Sequence, residues 1–302
     1  MRRGRIELQH QPLTLEFHPE EPILATGLVT GEIYAHRVHN GSGEKILRRG
    51  IASDLAFTTR PHTKPCRSLG FHPSGQYLYT ASRDKSWASL DTHQAGKVVF
   101  RKTDAHEEPL SHIRVMDEHN LMTGDDAGGI KLWDTRSPRV VREFGDIHSD
   151  LITDSCYSAA RRTLLVAGAD GLLTVLDLRK DKPLAVSENQ DDDLLSVMAV
   201  KDNSRAVVGM QSGVLGIFKW GDWGDIVDRF PGHPESVDTL AKIDEDTLCT
   251  GSSDGIIRVV SIQPNKLIGV VGVHGRFPVE KLDFSTTGHY LASMSHDTTV
   301  KL

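Results

Sequence analysis

The sequence has few cysteines, no excess of positive charge and no long apolar run. Its three cysteines lie far apart without a CxxC pair, which argues against a disulfide framework or a zinc site and suits a reducing compartment. A net charge of −6 argues against a general polyanion binder, because phosphate binding depends on lysine and arginine. No run approaches the about 18 apolar residues of a membrane helix, and the polar start MRRGRIELQH lacks a signal-peptide core. We therefore expect a soluble intracellular protein.

What the sequence does contain is an internal repeat. The stretch "TGDDAGGIKLWD" from Thr123 has six relatives, among them "TASRDKSWASLD", "VAGADGLLTVLD" and "TGSSDGIIRVVS". Each relative has a turn position, usually glycine, two residues before an apolar residue. The spacing between successive turn positions is 54 residues once and then 42 or 43. These turn positions are Gly31, Lys85, Gly128, Gly171, Gly213, Gly255 and Thr298.

Alternating apolar runs flank every turn position, which predicts a β-meander with a tight hairpin between its second and third strands. A multi-stranded unit repeated about every 43 residues is typical of a β-propeller blade. The sequence therefore predicts an all-β, seven-bladed propeller that forms a single domain over residues 1–302. The last unit stops after its third strand, so we expect residues 5–8 to supply the fourth strand and to close the ring. The abrupt end also suggests that a tail has been removed. Residues 39–60, where the longest interval falls, are predicted to form a flexible insertion.

Histidines recur 21 to 24 residues before six of the seven turns, beginning with His10. With Ser or Thr four residues before an Asp position, and with one complete "WD" dipeptide, the units resemble the WD-repeat family. The resemblance implies a hydrogen-bonded His–Ser/Thr–Asp–Trp network inside the blades, although no single unit is predicted to hold all four groups. The network positions are His62, Thr80, Asp84, His106, Thr123, Trp133, His148, Asp170, His233, Thr250, Asp254, His274 and Asp297.

Three short motifs suggest chemistry, but each is better explained by the repeat. "GSSDG" at 251–255 fits the serine-hydrolase motif GxSxG but occupies the repeat hairpin, not a strand-to-helix turn. In "HEEPLSH" the histidines His106 and His112 are six residues apart, not the four of a metal-binding helix. "GDDAGG" lacks the order of a phosphate loop, and its adjacent carboxylates should point to opposite sides of an extended chain. We therefore predict no enzymatic activity, no cofactor and no metal.

Function is then expected in the loops that a rigid propeller presents at its two rims. The hairpin residues of mixed character favour a protein segment over a nucleic acid as the ligand. Trp223, in a glycine-rich loop of unit five, is a candidate for an exposed aromatic contact, with core packing as the alternative. The candidate contact residues in the hairpins are Arg83, Asp126, Gln211, Ser253 and His296, beside Val29 and Ala169.

Three stretches resemble one branch of the WD-repeat family, that of the eukaryotic WD-repeat protein fifty-five and its fungal nucleolar counterpart. They are "TGDDAGGIKLWD", "WGDWGDIVDRFPGHPESVD" and "CTGSSDGIIRVVSIQPNKLIGVVG". The resemblance implies a scaffold in the nucleus and nucleolus that acts in ribosome biogenesis, specifically rRNA processing and large-subunit assembly. Its expected partners are pre-ribosomal assembly factors, and any RNA contact is expected to be indirect. Arg48 and Arg49 are candidates for touching RNA or an acidic partner. The propeller is expected to be a monomer.

The stretch "WDTR" supports an alternative of another class. Asp134 and Arg136 belong to this stretch, which resembles the WDxR motif by which some propellers dock on the adaptor of cullin-RING ubiquitin ligases. A near copy, "LDLR", ends at Arg179 in the next unit. A substrate receptor of such a ligase is therefore the second predicted function. Alternatively, an arginine after the third strand can be purely structural and pair with a nearby acidic side chain.

Overall fold

The computed structural model describes residues 4–40, 51–137 and 139–302. Within these ranges the regular structure is entirely β, and no helix long and apolar enough to cross a membrane occurs among them. The strands form seven four-stranded antiparallel sheets, each of which is one blade. The predicted all-β, seven-bladed propeller is confirmed.

The strands follow one another in chain order. The N-terminal strand and blades 1 and 2 consist of β1 (Arg5–Glu7), β2 (Pro12–Phe17), β3 (Ile23–Leu28), β4 (Ile33–Asn40), β5 (Ile51–Thr59), β6 (Cys66–Phe71), β7 (Tyr77–Ser82), β8 (Trp87–Asp91) and β9 (Lys97–Lys102). Blades 3 and 4 consist of β10 (Leu110–Val115), β11 (Asn120–Asp125), β12 (Ile130–Asp134), β13 (Arg139–Phe144), β14 (Ile152–Ser158), β15 (Thr163–Gly168), β16 (Leu173–Asp177) and β17 (Ala185–Val186).

The second half of the ring repeats this order. Blades 5 and 6 consist of β18 (Leu194–Val200), β19 (Arg205–Met210), β20 (Val214–Lys219), β21 (Asp228–Pro231), β22 (Val237–Lys242), β23 (Thr247–Ser252), β24 (Ile256–Ser261) and β25 (Lys266–Val273). Blade 7 consists of β26 (Val279–Phe284), β27 (Leu291–Ser295) and β28 (Thr299–Lys301), with β1 as its fourth strand.

The N-terminal strand closes the ring. Strand β1 pairs antiparallel with β28, with Ile6 opposite Val300, and so completes blade 7 at its outer edge. The predicted closure is therefore confirmed. The first strands of successive blades contact one another around the ring, from β2 to β26 and back to β2, and they surround a central channel. Each blade therefore has two edge strands, the inner one facing the channel and the outer one at the periphery, and both are short.

The seven predicted turn positions share one backbone conformation. All have a positive φ, from 57° at Thr298 to 84° at Gly31 and Gly213. Glycine adopts this region without the steric cost that a Cβ imposes. At Gly213 a Cβ would also lie 2.5 Å from the carbonyl oxygen of His233 in the next blade. The repeated glycine therefore permits both the hairpin and the close approach of the following blade.

The apolar core lies between adjacent blades. One cluster joins Ile130 and Leu132 of blade 3 to Leu164 and Val166 of blade 4, and all four side chains are buried. Each blade thus buries its faces only against its neighbours, which is the reason a ring is needed for stability.

The predicted flexible insertion at residues 39–60 needs a correction. Strand β4 extends to residue 40, and β5 forms the outer strand of blade 1 over residues 51–59. Part of the extra length of unit one thus belongs to two long paired strands. Residues 41–50, including Arg48 and Arg49, lie outside the described residues.

Candidate interaction surfaces

Blade 3 contains a four-membered hydrogen-bonded network. Trp133 Nε1 donates to Thr123 Oγ1 at 2.8 Å, and Thr123 Oγ1 lies 2.7 Å from His106 Nε2. On the other side of the ring, His106 Nδ1 lies 2.7 Å from the Asp125 carboxylate. Because an ionised carboxylate only accepts, His106 carries its proton on Nδ1 and accepts the threonine hydrogen through Nε2. The expectation that no unit holds all four groups is wrong for blade 3.

Asp125 was missed because it stands two residues before the Asp position of the other units. Burial opposes its ionisation, but hydrogen bonds from His106 and the amides of Gly129 and Ala127 outweigh burial and lower the pKa of Asp125. A Cβ at residue 129 would lie 2.7 Å from the carboxylate, so Gly129 makes room for it. The second glycine of "DDAGG" could have indicated the role of Asp125, because the other units have a residue with a side chain at that position.

The other blades hold partial versions of this network. In blades 2 and 7, the histidines His62 and His274 each lie within 2.9 Å of a Ser or Thr hydroxyl and within 3.5 Å of Asp84 and Asp297 respectively. In blade 4, His148 reaches Asp170 at 2.9 Å, but its Nε2 has no hydrogen-bond partner among the described residues because Val166 replaces the hydroxyl.

Blades 1 and 6 require corrections. In blade 6, His233 bonds Thr250 at 2.8 Å, but Asp254 pairs with Arg258 at 2.6 Å and not with the histidine. In blade 1, His10 is exposed and lies outside any blade interior. The regular spacing of the histidines thus predicted their repeat position, although their hydrogen-bond partners differ from blade to blade.

The central channel is filled by charged side chains from several blades. Asp154 of blade 4 lies 3.5 Å from Arg114 of blade 3 and 3.7 Å from Lys281, which reaches across the channel from blade 7. Burial, and then the mutual repulsion of Glu16 and Asp283, raises the pKa of Glu16. This cluster was not predicted, because the repeat pattern shows which residues face inward but not which charges meet there.

The candidate residues at the hairpin ends of the blades, here named the hairpin rim, fall into two groups. Arg83 and Gln211 are exposed, with no hydrogen bond or ion pair from their side chains to other described residues. Asp126, Ser253 and His296 are engaged: they contact Arg67, Asp238 (2.8 Å) and Glu280 (3.1 Å) respectively. This rim therefore presents a mixed polar surface of which about half is already paired within the chain.

Trp223 does not form part of an exposed surface. It is 5% exposed, packs with the buried core of blades 4 and 5, and meets Trp220 edge-on with ring centroids 5.0 Å apart. The interpretation of Trp223 as an exposed aromatic contact is therefore wrong, and the alternative of core packing is confirmed. Gly221, two residues before Trp223, has a φ of 89°, a conformation that favours glycine, and it lies in the turn that leads to the buried indole.

Asp134 and Arg136 lie at the other ends of the strands, here named the opposite rim. Arg136 makes a bidentate ion pair with Asp134 at 3.0 and 2.7 Å, and its backbone amide donates to the same carboxylate. These hydrogen bonds lower the pKa of Asp134 to about 2. Asp177 and Arg179 repeat the arrangement in blade 4. Each arginine thus closes its own turn while its side chain remains about two-thirds exposed.

The motifs that suggested chemistry have structural partners. Ser253 lies in the hairpin between β23 and β24 and donates to Asp238, and no histidine in the described part of the chain bonds to it. His112 faces the channel and bonds Ser155 at 2.9 Å, whereas His106 belongs to the network of blade 3. Burial raises the pKa of the Cys249 thiol to about 12, which disfavours a nucleophilic thiolate.

Two cavities open between neighbouring blades. One, of about 400 Å³, lies between blades 2 and 3 at the opposite rim and is lined by aromatic side chains and Arg136. The other, of about 750 Å³, lies between blades 6 and 7 and is lined mainly by apolar residues such as Ile257, Phe284 and Leu302. Both have volumes in the range of ligand pockets, about 300–1,000 Å³.

The seven blades, the ring closure and the His–Thr–Trp network define this chain as a WD-repeat β-propeller, a fold of the scaffold type. A family profile described as WDR55 matches residues 4–302. WD repeat-containing protein 55 of Homo sapiens is 36% identical over 95% of this chain and 72% of its own length. WD repeat-containing protein JIP5 of Cryptococcus neoformans is 34% identical over 97% of this chain and 79% of its own length. The chain therefore belongs to the WDR55 family.

Proposed function

We propose that this chain is a non-enzymatic nucleolar scaffold for protein–protein interactions in ribosome biogenesis, in rRNA processing and large-subunit assembly. The scaffold part of the proposal is supported by the acids and histidines of the chain, because most of those discussed above are hydrogen-bonded within the propeller. His106, Asp125 and Ser253 are hydrogen-bonded inside or beside the blades, whereas exposed polar groups such as Arg83 and Gln211 lie on the hairpin rim. The ribosomal part rests on the resemblance of three sequence stretches to the nucleolar branch of the family.

The mixed charge of the hairpin rim supports a protein partner. Arg83 is exposed near the ion pair of Arg67 with Asp126, whereas blade 7 presents His296 against Glu280. A surface that binds RNA directly needs several unpaired basic groups, because phosphate contacts supply most of the affinity. We therefore propose pre-ribosomal assembly proteins as the direct partners, with RNA contacted through them.

A second candidate function is that of a substrate receptor of a cullin-RING ubiquitin ligase. The exposure of Arg136 at the opposite rim favours it, since a docking arginine must be accessible. The identical pairing of Arg179 with Asp177 gives the arginine a structural explanation and also provides a matched control.

Affinity purification from cells separates the two functions. The scaffold function predicts recovery of large-subunit precursor proteins and rRNA with the wild-type chain and with Arg136→Ala and Arg179→Ala alike. Recovery of a cullin and its adaptor that is lost only in Arg136→Ala supports the second function instead. Recovery of neither set contradicts both.

A further inference from the structure

Blade 4 concentrates unpaired positive charge at the opposite rim. Two exposed arginines lie in the loop between β14 and β15, and two exposed lysines lie in the loop that follows β16. Their side chains form no hydrogen bond or ion pair within the described part of the chain, whereas Lys201 at the same rim pairs with Asp246. The four residues, here named the blade 4 patch, are Arg161, Arg162, Lys180 and Lys182.

The two loops that carry the patch are held together. The Leu178 amide, at the start of the second loop, donates to the Arg162 carbonyl at 3.1 Å. Arg142, on the outer strand of blade 3, donates to the Leu178 carbonyl at 2.6 Å. The Arg161 guanidinium lies 5.8 Å from the ring centroid of Trp220 in blade 5. The positive charges are therefore brought to one surface that three neighbouring blades support.

The backbone at Arg162 is unusual for an arginine. Its φ is 51°, in the left-handed region. The loops between the first and second strands of blades 2, 5 and 7 place Gly75, Asn203 and Gly288 in this region, and glycine and asparagine are the residues that adopt it most readily. The turn itself therefore does not account for an arginine, whereas a ligand that binds the guanidinium does.

Acidic side chains border the patch on both sides. Glu118 of blade 3 and Asp202 and Asp222 of blade 5 are exposed at the same rim, and none has an ion pair to another described residue. A nucleic acid draws its affinity from successive phosphates along a basic track, and a long strand would cross these acids. The extent of the positive charge therefore fits a short anionic segment.

The nonpolar surface next to the patch is aliphatic. Leu184 and Val186, which follow the second loop, are 44% and 41% exposed. Trp220, beneath Arg161, is half-buried and packs edge-on against Trp223. Single-stranded nucleic acids bind to exposed aromatic rings on which their bases stack, and the patch does not offer such a ring among the described residues. Cations beside aliphatic side chains match a peptide of acidic and aliphatic residues.

We propose that the blade 4 patch binds an acidic segment of a partner protein, whose carboxylates pair with the two arginines and two lysines and whose aliphatic side chains contact Leu184. Arginine is suited to this role because its guanidinium can hold a carboxylate through two hydrogen bonds. The opposite rim is thus a second docking surface, distinct from the hairpin rim. This inference rests on the proposed function only in taking the ligand to be a protein.

Fluorescence anisotropy with the full chain tests the proposal, and the probe is the fluorescein-labelled peptide EDLEDLED. We expect saturable binding that weakens as salt is added, and no binding of the uncharged peptide QNLQNLQN. Arg162→Asn removes a charge and keeps a residue suited to the positive φ, and Lys180→Ser removes a second charge. Each variant should bind about two- to fivefold more weakly, and the double variant about tenfold.

Lys266→Ser is the matched control, because Lys266 is exposed at the same rim in blade 6 but lies outside the patch. It should leave the affinity unchanged, and circular dichroism should show that all variants are folded. Equal weakening in the control, or no saturable binding, overturns the proposal. Tighter binding of an oligouridine with the same number of negative charges also overturns it, in favour of a nucleic acid. Because the isolated chain is used, each result is independent of whether pre-ribosomal proteins are recovered.

Discussion

Blades 3 and 5 have the same architecture but different interiors. Blade 3 is held by His106, Thr123, Asp125 and Trp133 in one hydrogen-bonded network. Blade 5 has no histidine at the repeated position, and its core cluster with blade 4 is apolar throughout. The shared strand alternation and the positive-φ turn are therefore sufficient for the blade, and the polar network is an addition to them.

Blades 3 and 5 also differ in the side chains that they place in the central channel. Blade 3 contributes His112 and Arg114 to it, whereas the matching positions of blade 5 are Ser196 and Met198. In blade 5 Phe218 takes the repeat position of Trp133, and Trp223 packs in the same apolar cluster as Phe218 and Ile226. A blade can thus be stabilised by buried apolar area or by satisfied polar groups, and the two kinds should respond differently to substitution and to pH.

The largest effect is expected from the apolar blade. Trp223→Ala should lower the free energy of unfolding by about 3–5 kcal/mol, because it leaves a cavity in a packed core. Chemical denaturation measures the loss. Trp220→Ala, at the half-buried partner ring, should cost less. A loss below about 1 kcal/mol in Trp223→Ala would show that this indole does not support the core.

The network of blade 3 should show strong coupling. His106→Ala and Asp125→Ala should each cost about 1–3 kcal/mol, because each leaves a buried polar partner unsatisfied. A double-mutant cycle should give a coupling of about 1–3 kcal/mol between them. The matched pair in blade 6, His233 with Asp254, has neither a hydrogen bond nor an ion pair between its members and should give a smaller coupling than the pair in blade 3. Additive losses in blade 3 contradict the network.

The channel should make stability depend on pH. Glu16 has a pKa raised to about 8, so the folded chain holds a proton that the unfolded chain releases above its ordinary pKa of 4.5. This contribution to stability is complete below about pH 4.5 and is lost as the pH rises to about 8. Glu16→Gln should therefore raise the free energy of unfolding at pH 8 by about 1–2 kcal/mol and flatten its pH dependence. The exposed control Glu108→Gln should change neither, and an unchanged slope in Glu16→Gln rules out the buried-carboxyl explanation.

The smallest effect is expected at the opposite rim. Arg136→Ala and Arg179→Ala remove exposed ion pairs, so neither should measurably change the free energy of unfolding. Thermal unfolding compares the two variants. A clear fall in the melting temperature of either variant would mean that the turn depends on its arginine.

The repeat predicted the fold well because turn spacing and strand alternation are local properties. The closure of the ring through β1 could be predicted because the last unit has only three strands of its own. The predictions failed where a functional residue stands one or two positions away from the repeat position, or where a contact joins residues that are far apart in the sequence. Asp125 takes the place of the expected acid from two positions earlier in the sequence, and Trp223 lies in the core although its loop is rich in glycine. The pairing of Lys281 with Asp154 across the channel joins residues 127 positions apart in different blades, and no local pattern encodes it.

Crosslinking mass spectrometry on the affinity-purified complex tests most directly the central claim that this propeller acts as a scaffold through its rims. Lys64 lies at the hairpin rim, whereas Lys97 and Lys266 begin the outer strands of blades 2 and 6 at their opposite-rim ends. The claim predicts that crosslinks to large-subunit assembly proteins arise from these rim lysines. Crosslinks only to proteins unrelated to ribosome assembly would contradict it.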